Sequence, residues 1–92
     1  MDNPEIDQYG DKYWYDTNGE YHRTDGPAIE YASGTKIWYK HSLVHRTDGP
    51  AVEWANGTNE WYLNDQRMSF EEWLYEVDIS TEAKVMMKLV YG

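Results

Sequence analysis

The sequence predicts an α+β fold, in which an antiparallel β-hairpin meander sheet of about seven strands is followed by two short C-terminal helices. Three observations predict it: a tandem repeat, turn signals about every ten residues within it, and two helix-start signals after residue 68. The 92 residues have the length of a single domain. Its expected parts are an acidic N-terminal segment (residues 1–9), the repeat sheet (10–68) and the helices (69–92).

The repeat is the strongest of these signals. The heptamer HRTDGPA occurs at residues 22–28 and 45–51, and aligning residues 22–44 with 45–67 gives 13 identities in 23 positions. A shorter pattern, G-x-x-x-W-Y, occurs three times, ending at Trp14-Tyr15, Trp38-Tyr39 and Trp61-Tyr62. A repeat of this period is typical of stacked supersecondary units that share a continuous core.

Short strands and turns alternate within each copy. In the second full copy a β-rich run (51–54) leads to Asn56-Gly57 and then to a second arm (58–63). Asn-Gly between such runs predicts a two-residue hairpin turn with positive φ at both positions. Two further turns are predicted where strand residues give way to polar pairs, at His41-Ser42 and Asn64-Asp65.

The heptamer itself is interpreted as scaffold. Its Asp-Gly-Pro triplet predicts a loop between hairpins, because Gly permits unusual backbone angles and Pro fixes φ. The arginine two residues earlier is expected to pair with that aspartate or with Glu30 or Glu53 on a neighbouring strand. The predicted scaffold residues are His22, Arg23, Asp25, Gly26, Pro27, His45, Arg46, Asp48, Gly49 and Pro50.

After residue 68 the pattern becomes helical. Ser69 and Glu72 form a capping box, and an apolar stripe follows at Phe70, Trp73, Leu74 and Val77. Ser80 is predicted to cap a second helix, with an apolar stripe formed by Ala83, Met86, Met87 and Val90 and widened by Val85 and Leu89. Helices this short do not stand alone, so we expect them to cover an aromatic face of the sheet.

Trp and Tyr are adjacent in every copy, so their side chains must point to opposite faces of the sheet. One aromatic row is therefore expected to remain after the helices have covered the other. Positions where the copies differ, and the aromatic rows, are the predicted partner-binding residues. They are Lys36, Trp38, Tyr39, Lys40, His41, Trp61 and Tyr62.

Charge and composition narrow the function. The net charge is −9 and is concentrated at the two ends of the chain, which disfavours direct binding to nucleic acid or to an acidic membrane. No cysteine is present, which fits a reducing compartment and a cytoplasmic location. The histidines and the Glu30/Glu53 pair occupy equivalent repeat positions, so we expect no catalytic residues, no metal and no cofactor.

The pattern HR-x-DGPA-x-E-x-x-x-G-x-x-x-WY, repeated in tandem, resembles a repeat in small proteins of large bacteriophages and giant viruses. It is more distantly similar to MORN-type repeat proteins. The resemblance spans roughly residues 10–68, and the ending that starts at Ser69 is also similar. It implies a β-hairpin repeat sheet, a viral origin and a location in the host cytoplasm, and it carries over no catalytic residue.

Several functions fit these observations. The leading hypothesis is a non-enzymatic protein-binding module, encoded by a phage, that modulates or inhibits a host defence or regulatory protein. A second is an acidic nucleic-acid mimic that blocks a DNA- or RNA-binding enzyme. A third is a nucleotide or signal-molecule binder that uses Trp, Tyr and Arg. A fourth is a self-assembling structural sheet, for which a homodimer is expected because open strand edges can pair.

Overall fold

A computed structural model of the chain describes residues 3–92, so the first two residues of the predicted acidic segment lie outside the described part. It contains nine short strands and two helices within that range. They are β1 (Glu5–Ile6), β2 (Lys12–Tyr13), β3 (Ile29–Glu30), β4 (Lys36–Ile37), β5 (Tyr39–Lys40), β6 (Leu43–Val44), β7 (Val52–Glu53), β8 (Asn59–Leu63), β9 (Gln66–Met68), α1 (Phe70–Glu76) and α2 (Thr81–Tyr91).

Seven of the strands form one antiparallel sheet in the order β1-β2-β3-β4-β7-β8-β9, and β5 and β6 pair separately. The predicted α+β class, the meander of seven strands and the two C-terminal helices are therefore confirmed. Each copy forms two successive hairpins, and we call the second one the side hairpin. The side hairpin β5–β6 is separate from the main sheet, whereas the side hairpin β8–β9 of the last copy extends that sheet. The side hairpin of the first copy is reduced to a single bridge between Tyr15 and Tyr21.

The two kinds of hairpin use different turns. In the main sheet, Gly57 N–H donates to the carbonyl of Trp54 at 2.9 Å, and only Gly57 has positive φ, at 91°. This is a type I turn followed by a left-handed glycine, so the two-residue turn predicted at Asn56-Gly57 is wrong. Two-residue turns with positive φ at both positions occur instead in the side hairpins. They lie at His41-Ser42 (49° and 67°) and Asn64-Asp65 (50° and 74°).

The sheet core is thin and aliphatic. Ile29 pairs with Ile37 across β3 and β4, and Ile37 pairs with Val52 across β4 and β7. Ala28 and Ala51 are completely buried, and each precedes one of these strands. Because alanine side chains are small, the neighbouring strands of the same chain can approach closely at these positions. Backbone hydrogen bonds such as the one from Trp38 N–H to the carbonyl of Ala51, at 2.8 Å, connect the copies there.

The helices close the C-terminal end of the repeat. Ser69 and Ser80 each cap a helix, and their Oγ atoms accept from the N–H groups of Glu72 and Ala83, both at 3.1 Å. The predicted α1 stripe packs with Trp61 of the last copy in one cluster. The sequence predicts that the helices cover an aromatic face of the sheet. They cover only the last copy, because two helices of 7 and 11 residues are too short to reach the others.

The predicted stripe of α2 is only half buried. Met87 and Tyr91 pack against the Trp61 cluster, whereas Met86 and Val90 are 55% and 63% exposed. Residues four apart along the helix form the contact, because α2 touches the rest of the molecule along a narrow seam. The predicted stripe is therefore wrong at Met86 and Val90, and its predicted widening is wrong at Val85 and Leu89, which are 51% and 75% exposed.

Candidate functional site

Arg46 is the centre of the heptamer in the second full copy. Its Nε donates to Asp48 at 2.7 Å, and its Nη1 donates to the carbonyl of Pro50 at 2.9 Å and to Glu53 at 2.8 Å. Its guanidinium carbon lies 3.8 Å from the ring centroid of Trp38, in the preceding copy. The two ion pairs hold the arginine within its own copy, and the cation–π contact with Trp38 joins that copy to the preceding one. The predicted pairing with Asp and Glu is confirmed.

The first heptamer repeats this arrangement. Arg23 donates to Asp25 at 3.0 Å and to both Pro27 and Glu30 at 3.1 Å, and it lies 3.8 Å over Trp14. The glycine of the loop makes room for the guanidinium. A Cβ atom would lie 2.7 Å from the Arg46 Cζ if it were added at Gly49, and 3.0 Å from the Arg23 Cζ if it were added at Gly26.

The histidines hold the turns of the side hairpins. Nδ1 of His22 accepts from the backbone N–H of His41 at 3.1 Å, and Nδ1 of His45 accepts from that of Asn64 at 3.0 Å. The next residue of the turn also donates backward, from Ser42 to Tyr21 at 2.8 Å. Each side hairpin is thus docked on the preceding one, and both histidines have a structural task.

The three tryptophans of the W-Y pattern contact other side chains of the chain. Trp14 and Trp38 lie under arginines, while Trp61 lies 4.8 Å from Phe70, 4.6 Å from Trp73 and 5.1 Å from Tyr91 between ring centroids. Trp61 is only 7% exposed. Of the predicted partner-binding residues, Trp61 therefore lies in the core, where a partner cannot reach it, and Trp38 is covered by Arg46.

The tyrosines form a connected row on the other face. The ring of Tyr21 lies 6.3 Å from Tyr13, 5.3 Å from Tyr15 and 5.1 Å from Tyr39, measured between ring centroids. Tyr15, Tyr39 and Tyr62 are equivalent in the three copies. Alternation along the strands places further rings on this face. We define the tyrosine surface as Tyr13, Tyr15, Tyr21, Tyr31, Tyr39, Trp54 and Tyr62.

Carboxylates lie among these rings. The Tyr13 hydroxyl donates to Asp7 at 3.1 Å. Glu60 accepts from Trp54 Nε1 at 2.9 Å and from the Tyr62 hydroxyl at 3.4 Å. Because the hydroxyl and indole donors are already directed at carboxylates, this surface presents aromatic rings beside negative charge.

The protonation states agree with this description. Burial and the hydrogen bond to Asp7 raise the pKa of Tyr13 to about 12. Burial also raises the pKa values of Tyr15, Tyr39 and Tyr62, so these rings stay neutral under physiological conditions. Although its surroundings partly desolvate Asp7, backbone N–H groups and Tyr13 hold its pKa below the usual range, and it stays ionised.

Asp16, Glu20 and His41 come close enough to resemble a cation site, with one potential ligand atom from each within 4.8 Å of the others. Existing contacts already use these groups. His41 Nδ1 lies 2.6 Å from Asp16, whose other oxygen accepts from the N–H groups of Asn18 and Glu20. The hydrogen bond from His41 lowers the pKa of Asp16 to about 2. We interpret the group as the organiser of an exposed turn.

The remaining predicted binding residues divide between the two faces. Tyr39 and Tyr62 belong to the tyrosine surface, whereas Lys36 and Lys40 are exposed and alternate with Trp38 on the opposite face. The W-Y pattern places Tyr15 in one row with Tyr39 and Tyr62, but the predicted partner-binding residues do not include Tyr15. Tyr13, Tyr21, Tyr31 and Trp54 of the tyrosine surface are also absent from that prediction.

No protein family, no curated protein and no solved structure matches this chain in comparisons of sequence and structure. Within residues 3–92, no helix has the length and apolar character that crossing a bilayer requires.

Proposed function

We propose that this chain is a non-enzymatic protein-binding module and that its partner docks on the tyrosine surface. One observation carries the proposal. Trp14, Trp38 and Trp61 of the W-Y pattern contact arginines and helices of the chain itself. On the other face, Tyr15 and Trp54 remain 42% and 44% exposed. The face of the sheet with the tyrosine row therefore holds both of these exposed rings, whereas Trp14 and Trp38 are half-buried and Trp61 is buried.

The composition of this surface suits protein binding. Tyrosine and tryptophan are enriched at protein interfaces because they offer a large contact area and lose little side-chain entropy on binding. Here the rings are held in advance by stacking on one another and by hydrogen bonds to Asp7 and Glu60. Such preorganisation reduces the entropic cost of association.

The identity of the partner is suggested by the resemblance to small repeat proteins of phages and giant viruses. On that basis we propose a host protein, such as a defence or regulatory factor, whose activity is modulated or inhibited when the chain occludes it. A small rigid sheet with one accessible aromatic face is suited to occlusion.

Affinity capture with three baits tests the proposal. The baits are the wild-type chain, a Tyr15→Ser/Trp54→Ser variant and a Lys36→Ser variant, whose change lies on the opposite face. We expect the wild type and Lys36→Ser to retain the same stoichiometric host protein and Tyr15→Ser/Trp54→Ser to lose it. Because both aromatic residues are more than two-fifths exposed, their removal should leave the fold intact, which circular dichroism checks.

Two results would contradict the proposal. The first is that no stoichiometric partner is recovered with the wild-type bait from the host. The second is that the partner remains bound to folded Tyr15→Ser/Trp54→Ser, which would place the interface elsewhere. Once the partner is identified, it is purified, and its affinity for each of the three baits is measured directly.

A further inference from the structure

The tyrosine surface presents the same two kinds of group, aromatic rings and carboxylates, that contact the arginines of the repeat. Arg46 contacts one aromatic ring, that of Trp38, and two carboxylates, those of Asp48 and Glu53. Around Arg23 the same set recurs. On the tyrosine surface, rings and carboxylates are again adjacent, as in Trp54 beside Glu60.

We propose that the tyrosine surface binds an extended, arginine-bearing segment of a partner protein. The inference rests on the proposed function and names the chemistry of its partner. A guanidinium can stack on a tyrosine or tryptophan ring and at the same time donate to a neighbouring carboxylate. The net charge of −9, to which Glu5 and Asp7 contribute on this face, attracts a cationic segment. Glu60 lies 4.0 Å from Arg67 of the chain itself, in an ion pair with an exposed arginine that an incoming guanidinium can replace.

The repeat sets the spacing of the arginines. Equivalent positions of successive copies lie two strands apart in the main sheet, as β2, β4 and β8 do. Two strands span about 10 Å. A peptide segment in the extended polyproline II conformation advances about 3.1 Å per residue and completes one turn in three residues, so every third side chain faces the same surface. Arginines at every third position would therefore meet Tyr15, Tyr39 and Tyr62 in turn.

Calorimetric titration with synthetic peptides tests this geometry on the full chain. The probe is a peptide with three arginines, one at every third position, separated by Gly and Ser. One comparison peptide has the same composition with its arginines adjacent, and another has lysine in place of arginine. We expect the spaced arginine peptide to bind about fivefold more tightly than either.

Protein variants separate specific recognition from general charge attraction. Tyr15→Leu keeps the charge and removes one ring, and we expect it to weaken the spaced peptide about threefold. Glu5→Gln, beside Tyr15, should weaken it by a similar factor. Glu82→Gln removes the same charge from α2 and serves as the matched control, for which no change is expected.

Equal affinity for all three peptides, or equal effects of Glu5→Gln and Glu82→Gln, would overturn the inference, since binding would then reflect net charge alone. Absence of binding would overturn it as well. The proposed function would survive either result if the host partner still depended on Tyr15 and Trp54 in the capture experiment, so the two failures are distinguishable.

Discussion

The arginine of each heptamer and the residues that it contacts account for six of the 13 identities between the copies. Asp48 and Glu53 accept its hydrogen bonds, Gly49 leaves space for it, and the carbonyl of Pro50 accepts another. Because both arginines make this set of contacts, the same residue types occur at the equivalent positions of the two copies. The heptamer serves to attach one copy to the next.

Adding one methyl group tests this role. Gly49→Ala would place a Cβ 2.7 Å from the Arg46 Cζ and displace the guanidinium from Trp38 and Glu53. We expect a loss of about 1–2 kcal/mol in the free energy of unfolding, measured with denaturant. Gly26→Ala, with a 3.0 Å approach, should cost less. If Gly49→Ala costs as much when Arg46 is already Met, the explanation is wrong.

His45 should make stability depend on pH. Burial and the charge of Lys40 lower its pKa from the ordinary 6.5, so below pH 6.5 the unfolded chain binds more protons than the folded chain. The free energy of unfolding therefore falls as the pH decreases from 6.5 towards the lower folded-state pKa. His45→Asn retains an acceptor for the Asn64 N–H but does not titrate.

Denaturant unfolding of both proteins at a series of pH values above and below 6.5 measures this difference. We expect the wild-type curve to fall more steeply than that of His45→Asn as the pH decreases through this window. Parallel curves would show that His45 does not contribute the predicted pH dependence.

At the level of elements, the last copy needs a substitute for a following heptamer. The alignment places Met68 and Ser69 where the next His-Arg pair would stand, and α1 begins at this point. Trp61 contacts the rings of Phe70, Trp73 and Tyr91. These rings take the place of the arginine that lies over the equivalent tryptophan in each of the other copies. The helices are a cap for an open end of the repeat.

Equivalent tryptophans should therefore differ in their contribution to stability. Trp61→Ala empties the centre of the cap cluster and should cost about 3–5 kcal/mol in the free energy of unfolding. Trp38→Ala removes a half-buried ring under Arg46 and should cost clearly less. Both values come from denaturant titrations. Equal losses would mean that the cap contributes no more than the arginine stack does.

The sequence was most informative about elements and least informative about turns and faces. The heptamer, the Arg–Asp and Arg–Glu pairs and both serine caps follow from local chemistry, which residue order records directly. The turn at Gly57 is not the predicted one because Asn and Gly are favoured in both type I and type I′ turns, so the residue pair does not distinguish between them. The burial of Met86 and Val90 depends on how α2 docks, which periodicity does not determine.

For the whole molecule, the alternation of Trp and Tyr in the W-Y pattern creates two aromatic rows, which differ in their contacts within the chain. Arginines and helices contact the tryptophans, and the tyrosines remain half-buried beside carboxylates. Sequence analysis predicted that one row would remain but not which, since that depends on contacts between distant parts of the chain. The candidate site therefore required the tertiary structure.

The most direct test of this account is an NMR titration of the labelled chain with the spaced arginine peptide. We predict that the amide signals that shift belong to the tyrosine surface, including Tyr15, Tyr39 and Tyr62, and that those of Lys36 and α2 stay in place. Shifts confined to the acidic residues of α1 and α2, or no shifts at all, would contradict it.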